Sequence, residues 1–173
     1  MDSNKITPQE ISDMLFPINR KIKNINNGGC GIFAVALHKE LLRHGITSRI
    51  VAFEDEAVFH WTRKEYRNSV IPKLRRARLA KRQPDRGAHA HYMVKIGKYA
   101  IDSRGCFEIQ SNAIGKYITY PPAWCTLDAL GTIGVEDMEY LTRFKWAWND
   151  AFRRTSKGSI KKLIQQQLSK ILK

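Results

Sequence analysis

Cysteine is scarce in this chain. Cys30, Cys106 and Cys125 are the only three among 173 residues, and none stands in a C-x-x-C pair. That spacing excludes a zinc site built on cysteine pairs, and the odd number argues against a disulfide framework. Internal repeats and low-complexity stretches are absent. No apolar run approaches the roughly 18 residues of a membrane-spanning helix. The first 30 residues lack the basic-then-apolar order of a secretory signal, so the reading expects a cytoplasmic protein. Acidic residues are also few: 16 Asp and Glu stand against 30 Lys and Arg, giving a net charge of +14 and a pI near 9.9. This imbalance favours phosphate-rich or acidic partners without naming one. What the chain does have is an ordinary globular share of hydrophobic residues, 43%, with 10% aromatics. A chain of this length can bury about 70% of its unfolded surface, which excludes disorder for most of it.

Local signals divide the chain. Thr7, Pro8 and Glu10 have the order of a capping box with proline at the first helical position, predicting a short helix over 7–15 that Pro17 ends. Residues 19–29 are polar and close on Asn-Asn-Gly-Gly, a loop by composition. Residues 30–44 predict a helix stopped by Gly45, apolar nearly all round in its first half and therefore buried there. Residues 46–53 predict a strand, and 62–83 a helix interrupted at Pro72. Residues 89–102 alternate around Gly97-Lys98, predicting a hairpin in which Ile96 faces Tyr99 and Val94 faces Ile101. In that register His91 and Asp102 are diagonal neighbours on one face. Residues 107–110 and 116–120 read as further short strands, Pro121-Pro122 as a turn, and 135–156 as a helix carrying Trp146, Trp148 and Phe152. Residues 159–173 read as a basic amphipathic helix.

Three of these features combine into a possible chemistry. A cysteine opens a buried helix directly after a Gly-Gly turn, a histidine begins a strand, and an acid ends the strand after it. A nucleophilic thiolate needs a lowered pKa, and the positive end of a helix dipole supplies part of it. An imidazole can take the thiol proton, and a carboxylate on the far ring nitrogen orients that ring. The N–H of Cys30, at the helix start, has no intrahelical acceptor and can face a developing oxyanion.

The run NGGCGIFAVALHKELLRHGITSRIVAF, followed by HYMVKIGKYAIDSRG, resembles the papain-like and transglutaminase-like superfamily over roughly residues 24–105. That resemblance implies an α+β fold in which a Cys-headed helix packs on an antiparallel sheet. It also implies Cys30 as nucleophile, His91 as base and Asp102 as orienting acid, with no cofactor and no metal. The tail, with Trp148-Asn149 ahead of Phe152 and a terminal amphipathic helix, is similar to small bacteriophage-encoded members, which implies host cytoplasm or virion as the location. Two departures stand out. Tyr92 follows the histidine where transglutaminase-type sequences usually carry Trp. In place of the papain-type Gln before the cysteine, Asn24 and Asn27 are the nearby amides for an oxyanion role. His89, two residues before His91, is an alternative base.

The expected organisation is a core over 1–134, with a basic insertion at about 62–87, and a helical extension over 135–173. Within the insertion Lys73, Arg75, Arg76, Arg78, Lys81, Arg82 and Arg86 form a basic run against one acid, Asp85. Such a run is ordinarily a solvated face; as a contact it would neutralise phosphates. Two function classes follow. The first is a cysteine-dependent amide hydrolase or acyl transferase acting on a peptide or protein. The second is a non-catalytic basic assembly protein, binding nucleic acid through the basic run or neighbouring subunits through its C-terminal helices.

Overall fold

The computed structural model describes residues 6–22, 25, 29–55, 63–84, 90–109, 116–117, 125–144 and 150–172. The elements run α1 (Pro8–Lys21), α2 (Cys30–Arg43), β1 (Arg49–Asp55), α3 (Arg63–Glu65), a π segment (Tyr66–Val70) and α4 (Ile71–Leu79). After these come β2 (His91–Ile96), β3 (Tyr99–Ile101), β4 (Cys106–Glu108), β5 (Lys116–Tyr117), β6 (Cys125–Ile133), α5 (Val135–Leu141) and α6 (Asp150–Leu168). The class is α+β. The strands form one sheet in the order β5-β4-β3-β2-β1-β6, with every neighbouring pair antiparallel.

The capping box of α1 is present: the Glu10 N–H donates to Thr7 Oγ1, and the Thr7 N–H donates to Glu10 Oε2 at 2.7 Å. Pro17, however, lies inside the helix rather than ending it. A mid-helix proline forfeits a hydrogen bond and costs about 3 kcal/mol. The stripe Ile11, Leu15, Ile18 and Ile22 is buried along its whole length, and each such side chain contributes about 1.5–3 kcal/mol. Burial beyond Pro17 therefore outweighs the break. Pro72 likewise does not interrupt its helix. The Ile71 N–H donates to the Tyr66 carbonyl, five residues back, and this wider turn takes up the region where proline offers no donor.

The hairpin of β2 and β3 has the expected register, Ile96 opposite Tyr99 and Val94 opposite Ile101, and Gly97 supplies the positive φ of its turn. Alternation then gives the sheet two faces. Tyr92, Val94 and Ile101 join the main core with α1, α2 and α6. Val51, Phe53, Met93, Ala100 and Phe107 form a second buried cluster on the other face, where the Phe53 and Phe107 rings meet edge-on at 5.5 Å.

Strand β6 has no counterpart in the sequence reading. Its pairing with β1 shifts register between Ala52 and Phe53 and again between Phe53 and Asp55, so no unbroken alternation marks it. The helix expected over 135–156 is also not continuous: α5 stops at Leu141, and α6 begins at Asp150. Trp146 and Trp148 lie outside the described residues. The amphipathic terminal helix is part of α6. Its Ile160, Ile164 and Leu168 are fully buried in the main core, so that face docks on this chain's own α1 and α2. Among the described residues no helix is long and apolar enough to cross a membrane.

Two helices close with the same hydrogen-bonded motif. After α2, the Ile46 N–H donates to Leu41 O and the Gly45 N–H to Leu42 O, with Gly45 at φ 71°. After α4, Arg82 donates to Ala77 O and Lys81 to Arg78 O. Here the left-handed position, φ 53°, is held by Lys81. Lys81→Gly removes the Cβ conflict and is expected to stabilise the fold by about 0.5–1 kcal/mol, measurable as a rise in the urea midpoint.

Candidate active site

Helix α2 places Cys30 at its first position, with Gly29 before it and no side chain capping the helix start. The uncapped end leaves the dipole and the first N–H groups facing the sulfur. The Cys30 side chain hydrogen-bonds to His91, and the N–H groups of Gly31 and Tyr92 also serve the sulfur. His91 opens β2. Its Nε2 lies 3.0 Å from Asp102 Oδ2, so Nδ1 is the nitrogen left for sulfur. Asp102 follows β3 by one residue, and its two carboxylate oxygens are divided. Oδ1 accepts from the N–H groups of Arg104 at 2.7 Å and Gly105 at 3.1 Å. Oδ2 takes His91 and the Arg104 guanidinium, the latter at 3.1 Å. The acid thus builds the turn after β3 and orients the histidine with the same group.

The electrostatics follow from this chain of contacts. Burial pushes the Cys30 thiol up, but the hydrogen bond and positive charge of His91, helped by the Tyr92 and Gly31 N–H groups, bring it below its ordinary value. Burial disfavours the His91 cation, yet the bonds to Asp102 and Cys30 raise its pKa to about 9. Burial would raise Asp102 too, and the His91 bond and charge, with the charge and N–H of Arg104, hold it low. The same contacts favour the thiolate of Cys30, the imidazolium of His91 and the carboxylate of Asp102 over their neutral forms. All three residues are buried, Cys30 at 9% exposure, His91 at 2% and Asp102 at 3%. At Cys106 burial, with the negative charge of Asp13, raises the thiol to about 12.

Asn24, Asn27, His89 and Arg86 lie outside the described residues. Lys73, Arg75, Arg76, Lys81 and Arg82 are exposed on α4 and just after it. Arg78 must be corrected: it is held in ion pairs by Glu136 and Asp137 of α5. It joins two helices and is not free for an anion, because it points to the side of α4 that packs on α5. Among the described residues no cluster of three or more His, Cys, Asp or Glu could hold a metal ion.

Two contributors escaped the sequence reading. Arg104 sits in the turn after Asp102 and forms no motif of its own in the sequence. Tyr66 sits in the π segment, fully buried, with its hydroxyl 3.1 Å from that of Tyr92. Burial raises both phenol pKa values, and the Cys30 charge adds to that. Both therefore stay protonated beside the thiolate. Two hydroxyls carry two protons and share one bond, so the pair retains one O–H to donate elsewhere. The available signal was an aromatic placed just before a basic helix. It is weak, because the π turn that aims Tyr66 inward leaves no sequence pattern.

Comparison with protein-family models, with curated proteins and with solved structures returns no match for this chain.

Two outcomes follow from the geometry. Tyr66→Phe should cost about 1–2 kcal/mol by removing the Tyr66–Tyr92 hydrogen bond, while Tyr66→Phe with Tyr92→Phe should cost less than the sum of the single changes; chemical unfolding of the four proteins checks this. The second concerns pH. His91 is raised, so its stabilisation is full below its ordinary 6.5 and is lost as pH climbs through about 9. Asp102 is lowered, so its stabilisation is full above 3.8 and is lost as pH falls. Asp102→Asn should therefore destabilise by about 3 kcal/mol near pH 6 and by clearly less near about pH 9.5, read from urea curves at both.

Proposed function

We propose that this chain is a cysteine-dependent acyl-transfer enzyme of the papain-like and transglutaminase-like kind, cleaving or exchanging an amide bond of a peptide or protein. The observation that carries the reading is the unbroken hydrogen-bonded chain Cys30–His91–Asp102 at the start of a buried helix. The Cys30 thiolate attacks the amide carbonyl carbon, forming a C–S bond while the carbonyl electrons move to oxygen. The N–H of Cys30, at the start of α2 where no side chain caps the helix, serves as backbone donor to that oxyanion. The His91 imidazolium gives its proton to the departing amine nitrogen, the C–N bond breaks, and a thioester remains. Water or an amine then attacks the thioester as His91 takes its proton, and sulfur leaves as thiolate. Asp102 keeps the ring in place and stabilises its cationic form. Hydrolysis and transfer differ only in which nucleophile reaches the thioester.

A second reading rests on a different observation. Lys73, Arg75, Arg76, Lys81 and Arg82 form an exposed basic surface with no acidic partner among the described residues. This suits an assembly protein that neutralises phosphates of nucleic acid or an acidic neighbouring subunit.

Iodoacetamide at about pH 6 should alkylate Cys30 faster than Cys106 by at least about a hundredfold, as followed by peptide mass spectrometry. His91→Ala should abolish that preference by restoring an ordinary thiol. Equal, slow labelling of both cysteines in the parent protein would sink the catalytic reading. For the second reading, Arg75→Glu with Arg76→Glu should abolish DNA retention at low salt, whereas Cys30→Ala should leave it intact.

A further inference from the structure

A depression of about 240 Å3 opens at the hairpin end of the sheet, lined by Thr47, Ser48, Arg49, Lys95, Gly97 and Thr132. Its construction is electrostatically unusual. Arg49 and Lys95 are direct partners across β1 and β2, which places two like charges side by side on one face, an arrangement that destabilises a sheet. Neither takes part in an ion pair among the described residues. The acid at this end of the sheet, Glu108, is already bound to Lys98 at 2.7 Å. Thr132 sits opposite Val51. Since Val51 is two residues beyond Arg49, the threonine shares the face of the two cations. Ser48 is buried, but its Oγ lies 2.8 Å from His38 Nδ1 of α2, so that hydroxyl is turned to the opposite face from the two cations. Gly97 brings backbone without a side chain to the rim.

We propose that this depression binds a phosphate group. Two cations and the two threonines Thr47 and Thr132 line it, and the guanidinium fork matches phosphate oxygens in pairs. A carboxylate offers two oxygens and one charge, which satisfies fewer of these donors and leaves one cation uncompensated. The volume lies below the range of pockets for drug-sized ligands, so the occupant is a phosphate ion or the phosphate of a small monoester. The site is separate from the thiol chemistry: Lys95 lies four residues along β2 from His91, about 13 Å at strand spacing. It is also separate from the basic surface of α4, which contributes no lining residue.

The test is titration of the full-length protein at constant ionic strength with inorganic phosphate, O-phosphoserine and acetate in parallel, followed by calorimetry and by the amide resonances of Gly97 and Thr132. Phosphate should bind with those two amides shifting, and Arg49→Gln and Lys95→Gln should each weaken it by about tenfold or more. Arg75→Gln with Arg76→Gln should leave it unchanged. Thr132→Val, an exposed change that spares the charges, should weaken it by a smaller factor. Tighter binding of O-phosphoserine than of phosphate assigns the site to a monoester, and the reverse assigns it to the free ion. Absence of binding, affinity untouched by Arg49→Gln and Lys95→Gln, or acetate binding as tightly as phosphate would each overturn the proposal.

Discussion

The division of one carboxylate between two tasks underlies the site. Asp102 spends Oδ1 on the backbone turn that follows β3 and Oδ2 on His91 and Arg104. A buried carboxylate without donors would take up a proton. These donors keep it ionised, and the ionised form is what raises His91 and, through His91, lowers Cys30. Turn geometry and thiol reactivity therefore rest on the same pair of oxygens. The cost of burying three titratable groups is met by pairing each to the next, so the triad is stable only as a set.

The elements nearest this set were the most legible in the sequence. The Cys30 helix with its Gly45 stop and the hairpin register around Gly97 are written in local signals: a wholly apolar half-helix, a left-handed glycine, strict alternation. Their meeting was also implied, because the register puts His91 and Asp102 on one face. What escaped was decided at longer range. Pro17 was overruled by isoleucines beyond it that bury against α6. Strand β6 carries bulges that erase its alternation. Arg78 belongs to a basic run in the chain but to an ion-paired helix junction in space, and nothing local to 73–86 could have announced Glu136 and Asp137. Tyr66 was invisible for the same reason, since its direction depends on a π turn.

The charge of the molecule follows a related logic. With 30 basic residues against 16 acidic ones, nearly half of the cations have no carboxylate of their own, and where they sit carries information. Lys39, Arg78, Lys98 and Arg104 are engaged by carboxylates that hold one element to another or close a turn, and Arg43 pairs with Glu40 within α2. Among the described residues, Lys73, Arg75, Arg76, Lys81 and Arg82 stand exposed on α4 and just after it, and Arg49 and Lys95 face each other at the hairpin end of the sheet, the opposite end of β2 from His91.

The π segment also limits the chain's tolerance to changes in length. Within a regular helix, residues four apart drift by about 40° around the axis. The wider turn lessens that drift and lets Tyr66, Val70 and Leu74 line up inward, all three buried. Shortening the segment by a single residue would regularise the helix and shift Tyr66 along and around it relative to Val70 and Leu74, moving the phenol from its place beside Tyr92. Insertions and deletions that a surface connection absorbs freely are thus forbidden across these five positions, and the length of this stretch is as much a determinant of the site as the identity of any side chain in it.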